Sequence, residues 1–102
     1  MSDKIKSAVE LYNKGEYEKA IDIFSSVLET EKPTVEVYNT IGLCYNAVGN
    51  TEKAEDNFLK AIELDPKAPE LYINLADIYY KTKDYGNGIE LLLQGEYEIP
   101  DN

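Results

Sequence analysis

Residues 35–66 read VEVYNTIGLCYNAVGNTEKAEDNFLKAIELDP, and the spacing of their apolar side chains decides the fold. Tyr38, Ile41, Gly42 and Tyr45 recur at i, i+3, i+4 and i+7, and after Gly49-Asn50 the residues Ala54, Phe58, Ala61 and Ile62 recur at i, i+4, i+7 and i+8. Each spacing lays an apolar stripe along one face of an α-helix. Two striped helices joined by a tight turn predict an antiparallel pair.

Shifting the stretch by 34 residues in either direction brings like residues into register. Ala20, Ala54 and Gly88 coincide, as do Phe24, Phe58 and Leu92, and Ala8, Gly42 and Ala76. Leu11, Tyr45 and Tyr79 follow three residues later, and Gly15, Gly49 and Lys83 four after those. Small residues at repeated positions let two helix backbones approach to roughly 8 Å. Phe24, Phe58 and Leu92 are then expected to fill the space one turn away. A hairpin with apolar surface on both sides cannot cover itself, so each unit needs the next stacked upon it.

The punctuation agrees with the period. Ser2 or Asp3, Thr34, Asn50 and Asp84 stand where helix N-caps are needed. Lys32-Pro33 and Asp65-Pro66 interrupt the helical pattern, and Pro69 suits the first turn of the fifth helix. Gly15 and Gly49 provide left-handed stops, with Lys83 in the third such place.

Composition narrows function mainly by exclusion. The 102 residues carry a net charge of −10, with ten lysines, no arginine and no histidine, so a nucleic-acid partner meets repulsion. Without histidine the commonest general base is missing, and neither Cys44 nor any serine has an activating neighbour in sequence, so no enzyme activity is expected. The single cysteine excludes an internal disulfide, and its place two residues beyond Gly42 suits a small packing residue. Zinc spacings, calcium loops and glycine-rich phosphate loops do not occur, so no metal or cofactor is expected. Neither an eighteen-residue apolar run nor a leader-like N-terminus is seen, and a cytoplasmic, membrane-free location is the expectation.

The order Tyr38-x2-Ile41-Gly42-x2-Tyr45, Ala54-x3-Phe58, Pro66 resembles the tetratricopeptide repeat, with Tyr in place of Trp at the first position. The resemblance covers the chain as one domain, 1–102, in three units of approximately 1–34, 35–68 and 69–102. The middle unit matches best. The first has Lys4 and Ser7 where the aromatic belongs but keeps GEYEKAIDIF, and the third keeps Tyr72, Leu75, Ala76, Tyr79 and Pro100. The family implies an all-α solenoid: six antiparallel helices in three hairpins, stacked in a right-handed superhelix. It also implies an adaptor or scaffold that holds a protein or peptide segment in a concave groove lined by the first helix of each hairpin.

Carried onto this register, the groove positions include Ile5, Val9 and Tyr12 in the first unit, Asn39, Leu43 and Asn46 in the second, and Ile73, Asn74, Asp77 and Tyr80 in the third. The amides of Asn39, Asn46 and Asn74 offer donors and acceptors to an extended backbone, and the apolar members offer seats for its side chains. Glu36, Glu70 and Asp77 on the same face favour an apolar partner that is neutral to basic. Family members that clamp an acidic chaperone tail place lysine, arginine and asparagine where this chain has Ile5, Val9, Thr40, Glu70 and Asn74, so such a tail is not expected to bind. A plainer reading stays open, in which Ile5, Val9 and Tyr12 merely widen the core stripe.

The last helix strains the pattern. Leu91, Leu92 and Leu93 are consecutive, so at 100° per residue they cannot all face the fifth helix, and Gly86, Gly88 and Gly95 weaken the helix around them. Edge exposure is one account. The other is a self-assembly module, or a piece of a longer array, that associates through this helix with Leu91 and Leu93 at the contact, giving a homo-oligomer.

Overall fold

The computed structural model describes residues 2–99 and consists, over that range, of six α-helices. They are α1 (Asp3–Asn13), α2 (Tyr17–Thr30), α3 (Val35–Ala47), α4 (Thr51–Leu64), α5 (Pro69–Lys81) and α6 (Tyr85–Glu98). Pro100, the closing proline of the third unit, lies outside the described residues. Three caps form with the side chains named from sequence: Ser2 Oγ accepts from Ile5 N at 3.3 Å, Thr34 Oγ1 from Val37 N at 3.3 Å, and Asn50 Oδ1 from Lys53 N at 3.2 Å. Asp84 stands at the N-cap of α6 but makes no capping bond, because its carboxylate instead accepts from Asn87 Nδ2 at 2.7 Å.

Each hairpin turns through the same left-handed residue. Gly15 (φ 82°), Gly49 (φ 86°) and Lys83 (φ 61°) occupy it, and the residue after each donates to a carbonyl five back: Glu16 to Leu11, Asn50 to Tyr45 and Asp84 to Tyr79, at 2.9, 2.9 and 2.8 Å. This bond satisfies carbonyls left open at the helix end. The third turn therefore keeps its geometry without glycine, at a cost on the order of 1 kcal/mol for a left-handed lysine.

Stacking follows the period. Within each hairpin the two helices pack together, α2 packs on α3, α4 on α5, and the odd helices lie side by side as α1, α3, α5. The core forms both within hairpins and between them. One cluster joins Ala8, Ala20 and Phe24 to Val37, Ile41 and Cys44 of the next hairpin; the other joins Ala54, Phe58, Ala61 and Ile62 to Leu71, Tyr72, Leu75, Ile78 and Leu91. The chain is thus an all-α solenoid of three hairpins, and each unit completes its neighbour's core.

The small residues do what their repetition predicts in the middle hairpin and less in the last. A Cβ on Gly42 would fall 2.5 Å from the ring of Phe58, so only glycine admits that ring. A Cβ on Gly88 would meet Tyr79 Cβ at 3.4 Å, an ordinary contact. Leu92, expected to be interior like Phe24 and Phe58, is 51% exposed. Phe24 and Phe58 are covered because α3 and α5 follow them, whereas no described helix follows α6.

Candidate partner-binding groove

The side-by-side odd helices bring the expected groove residues onto one surface, and its two junctions differ. Between α1 and α3, Ile5 and Val9 face Glu36, Val37 and Thr40 across a pocket of about 250 Å³, with Thr34 and Phe24 completing its walls. Most of that lining is aliphatic or aromatic. Ile5, Val9 and Tyr12 are half-buried against the first core cluster, so they widen the core stripe and line the surface at once. Tyr12 also leans on Tyr17 of α2, with ring centroids 5.7 Å apart, and burial first, then the neighbouring Tyr17 and Cys44, push its phenol above the ordinary tyrosine range. It stays a neutral donor at physiological pH.

Between α3 and α5 the surface is stitched by hydrogen bonds. Asn74 Nδ2 donates to Asn39 Oδ1 at 2.9 Å; Asn46 Nδ2 donates to Asp77 Oδ2 at 3.2 Å; and Lys81 Nζ donates to Asn46 Oδ1 at 3.1 Å while pairing with Asp77 at 3.3 Å. Each of these residues has a partner near the same helical position of the next hairpin. Asn46 is engaged through both polar atoms. The Asn39–Asn74 pair still presents an amide donor on Asn39 and a carbonyl oxygen on Asn74, the two functions an extended backbone requires.

Apolar groups sit on either side of this polar rail. Leu43 is half-buried against the second core cluster, while Ile73 is 63% and Tyr80 71% exposed, with the Tyr80 ring 6.0 Å from Tyr85 of α6. Asp77 is compensated by Lys81, whereas Glu36 and Glu70 have no ion-pair or hydrogen-bond partner for their carboxylates among the described residues. The surface is therefore apolar with residual negative charge. Sequence reasoning carried Lys81 onto this face without its pairing to Asp77, and did not place the floor residues Phe24 and Val37 there. The i, i+4 spacing of Asp77 and Lys81 was the available signal for the first; for the others, being core residues hid that their edges are reachable.

The remaining expected residues fall elsewhere. Leu91, expected at a self-association contact, is 6% exposed and belongs to the second core cluster, because its direction on α6 is the one that faces α5. Leu93 is exposed. Cys44 is fully buried in the first cluster, and burial pushes its thiol up to about 11, so it packs as a small apolar side chain. No group of three or more metal-ligating side chains occurs among the described residues, and no described helix is long and apolar enough to cross a membrane.

Comparison with known proteins follows the same geometry. Two models described as tetratricopeptide repeat match residues 35–68 and 57–98. The chain is 29% identical over 80 residues to the transcription factor tau 131 kDa subunit of Saccharomyces cerevisiae, covering 78% of this chain and 8% of that protein. It is 30% identical over 84 residues to the photosystem I assembly protein Ycf3 of Synechococcus elongatus, covering 74% and 48%. The chain thus spans less than half the length of these relatives. Among solved structures, the Yersinia enterocolitica type III secretion chaperone SycD, crystallised with a peptide of the translocator YopD, superposes with a TM-score of 0.87 at 19% identity, over 100% of this chain and 81% of that one. The Sgt2 TPR domain of Aspergillus fumigatus superposes with a TM-score of 0.80 at 27% identity, over 94% and 64%.

Proposed function

We propose, from the premise that this chain belongs to the tetratricopeptide repeat family, that its three hairpins act as one adaptor whose groove holds an extended protein segment. The family is one of protein-interaction modules that are not enzymes, and this chain is such a module. The finer reading concerns what the groove takes. The single observation that carries it is the division of the odd-helix surface into an apolar pocket at the α1–α3 junction and a hydrogen-bonded amide rail at the α3–α5 junction.

An extended segment lying across the odd helices would seat an apolar side chain against Ile5, Val9 and Val37 and set its backbone on the free functions of Asn39 and Asn74. Ile73 and Tyr80 would cover further apolar groups. Immersing exposed aliphatic surface of this kind contributes about 25 cal/mol per Å² removed from water, reduced by the cost of ordering the segment. The unpaired carboxylates of Glu36 and Glu70 favour a segment with lysine or arginine beside its apolar anchor. The solved complex of SycD with a translocator peptide, on the same fold, supports a peptide as the class of ligand.

The test is fluorescence anisotropy with three labelled peptides: leucine-rich with lysines, leucine-rich with glutamates, and lysine-rich without leucine. The first should bind saturably and the other two weakly. Ile73→Ser with Tyr80→Ser, both at exposed positions, should weaken the first by about tenfold. Equal binding of all three peptides, or indifference to the double change, would remove the groove reading.

A further inference from the structure

The two junctions between hairpins are held by different forces. Positions 34 apart are equivalent, so each polar contact at the second junction has a counterpart at the first. Asn39 accepts from Asn74 at 2.9 Å, where the first junction has Ile5 and Thr40. Asn46 donates to Asp77 at 3.2 Å and accepts from Lys81 at 3.1 Å, where the first has Tyr12, Leu43 and Ala47. Tyr79 Oη donates to Glu55 Oε2 at 2.6 Å, and the matching pair is Tyr45 and Ile21. The connecting segments differ in the same sense. Tyr72 Oη donates to the Pro66 carbonyl at 2.7 Å and pins the link from α4 to α5, whereas its equivalent, Tyr38, makes no such bond to the link from α2 to α3. Among the described residues, no side-chain hydrogen bond or ion pair joins residues 2–30 to residues 35–99.

This contrast sets what each junction allows. A hydrogen bond weakens steeply as donor and acceptor move out of line, so the four that cross from the second hairpin to the third fix their distance and angle. Apolar burial has no preferred direction, and helices packed through it alone can slide past one another by small amounts. The first hairpin is seated in that way. Ala8 of α1 with Ala20 and Phe24 of α2 meets Val37, Ile41 and Cys44 of α3 in the first core cluster. On the groove side of this seat the side chains do not close. The opening of about 250 Å³ between Ile5, Val9 and Thr40 lies there, at the junction without a polar tie.

We propose that the first hairpin is a movable jaw of the groove: α1 and α2 swing together on their apolar seat against α3 and close on the anchor side chain at the α1–α3 pocket, while α3 to α6 move as one body. The closing of the jaw rests on the groove reading; its freedom to move does not. Anchors of different size are then accommodated by the width of one junction, and the amide rail is left undisturbed.

Sliding of this kind runs on μs–ms timescales, and residual dipolar couplings of backbone amides average over it. They are measured on the whole chain and fitted separately for α1–α2, α3–α4 and α5–α6. In the free protein α3–α4 and α5–α6 should share one alignment, and α1–α2 should show a loss of alignment magnitude. Saturation with the leucine-rich, lysine-bearing peptide should restore it. The triple change Asn39→Ala, Asn46→Ala and Tyr79→Phe removes all four bonds across the second junction and keeps every apolar side chain. With helical content by circular dichroism unchanged, it should give α5–α6 a like loss of alignment. The proposal is overturned if the three hairpins share one alignment in the free protein, or if the folded triple variant keeps α5–α6 aligned with α3–α4. It is equally overturned if bound peptide leaves α1–α2 as loosely aligned as before. A peptide that does not bind removes the groove reading alone, and the couplings of the free protein still decide whether the hairpin moves.

Discussion

The middle and last hairpins share a register yet pack differently. In α3–α4, glycine at position 42 lets the Phe58 ring against the α3 backbone, and α5 closes over the far side. In α5–α6, Ala76 stands at the place of Gly42 and Leu92 at the place of Phe58, but Leu92 is turned to solvent. The contact that holds α6 is made by its neighbours instead: Leu91 enters the core, and Gly95 sits against the Tyr72 ring, where a Cβ would come within 3.0 Å. Register alone does not decide whether a position is core. The helix that follows does.

The sharpest way to break this comparison is to truncate the two equivalent side chains. Phe58→Ala removes a fully buried ring and should destabilise by about 3–5 kcal/mol, whereas Leu92→Ala should stay within about 1 kcal/mol. Urea unfolding of both variants measures the difference; equal losses would mean that α6 is covered after all. A smaller effect, and one of opposite sign, separates the glycines. Gly42→Ala drives a methyl into the Phe58 ring and should cost about 1–3 kcal/mol, while Gly88→Ala has room and should stabilise by up to about 1 kcal/mol through helix propensity. Thermal melts of the pair would contradict the account if both moved the same way.

Much of the fold was legible because it is written in local chemistry. The Ser2, Thr34 and Asn50 caps, the Gly15 and Gly49 turns and the alternation of stripes depend on residues within one or two helical turns of each other. The Asn39–Asn74 bond joins residues 35 apart, and it becomes visible only when the period lays α3 beside α5. What could not be read was which of several available neighbours a side chain would meet. Leu91 is buried because it faces α5, and Leu92 is exposed because no described helix lies over that side of α6. The pocket between Val9 and Thr40 depends on how far the side chains of α1 and α3 fall short of meeting, and Asp84 lost its capping role to Asn87 on its own helix.

For function the comparison teaches where to look. Positions that are core where a described helix follows are exposed on α6, and the odd-helix face is open to solvent at Ile73 and Tyr80. The groove reading is a consequence of hairpins stacked with their odd helices side by side.

Residue-resolved amide hydrogen exchange tests that dependence most directly, because it reports how readily each helix opens. The account predicts that α3 and α4, flanked on both sides, exchange most slowly and near the global limit, with α6 opening at a distinctly lower free energy. Protection of α6 equal to that of α4, or uniform protection along residues 3–98, would contradict it.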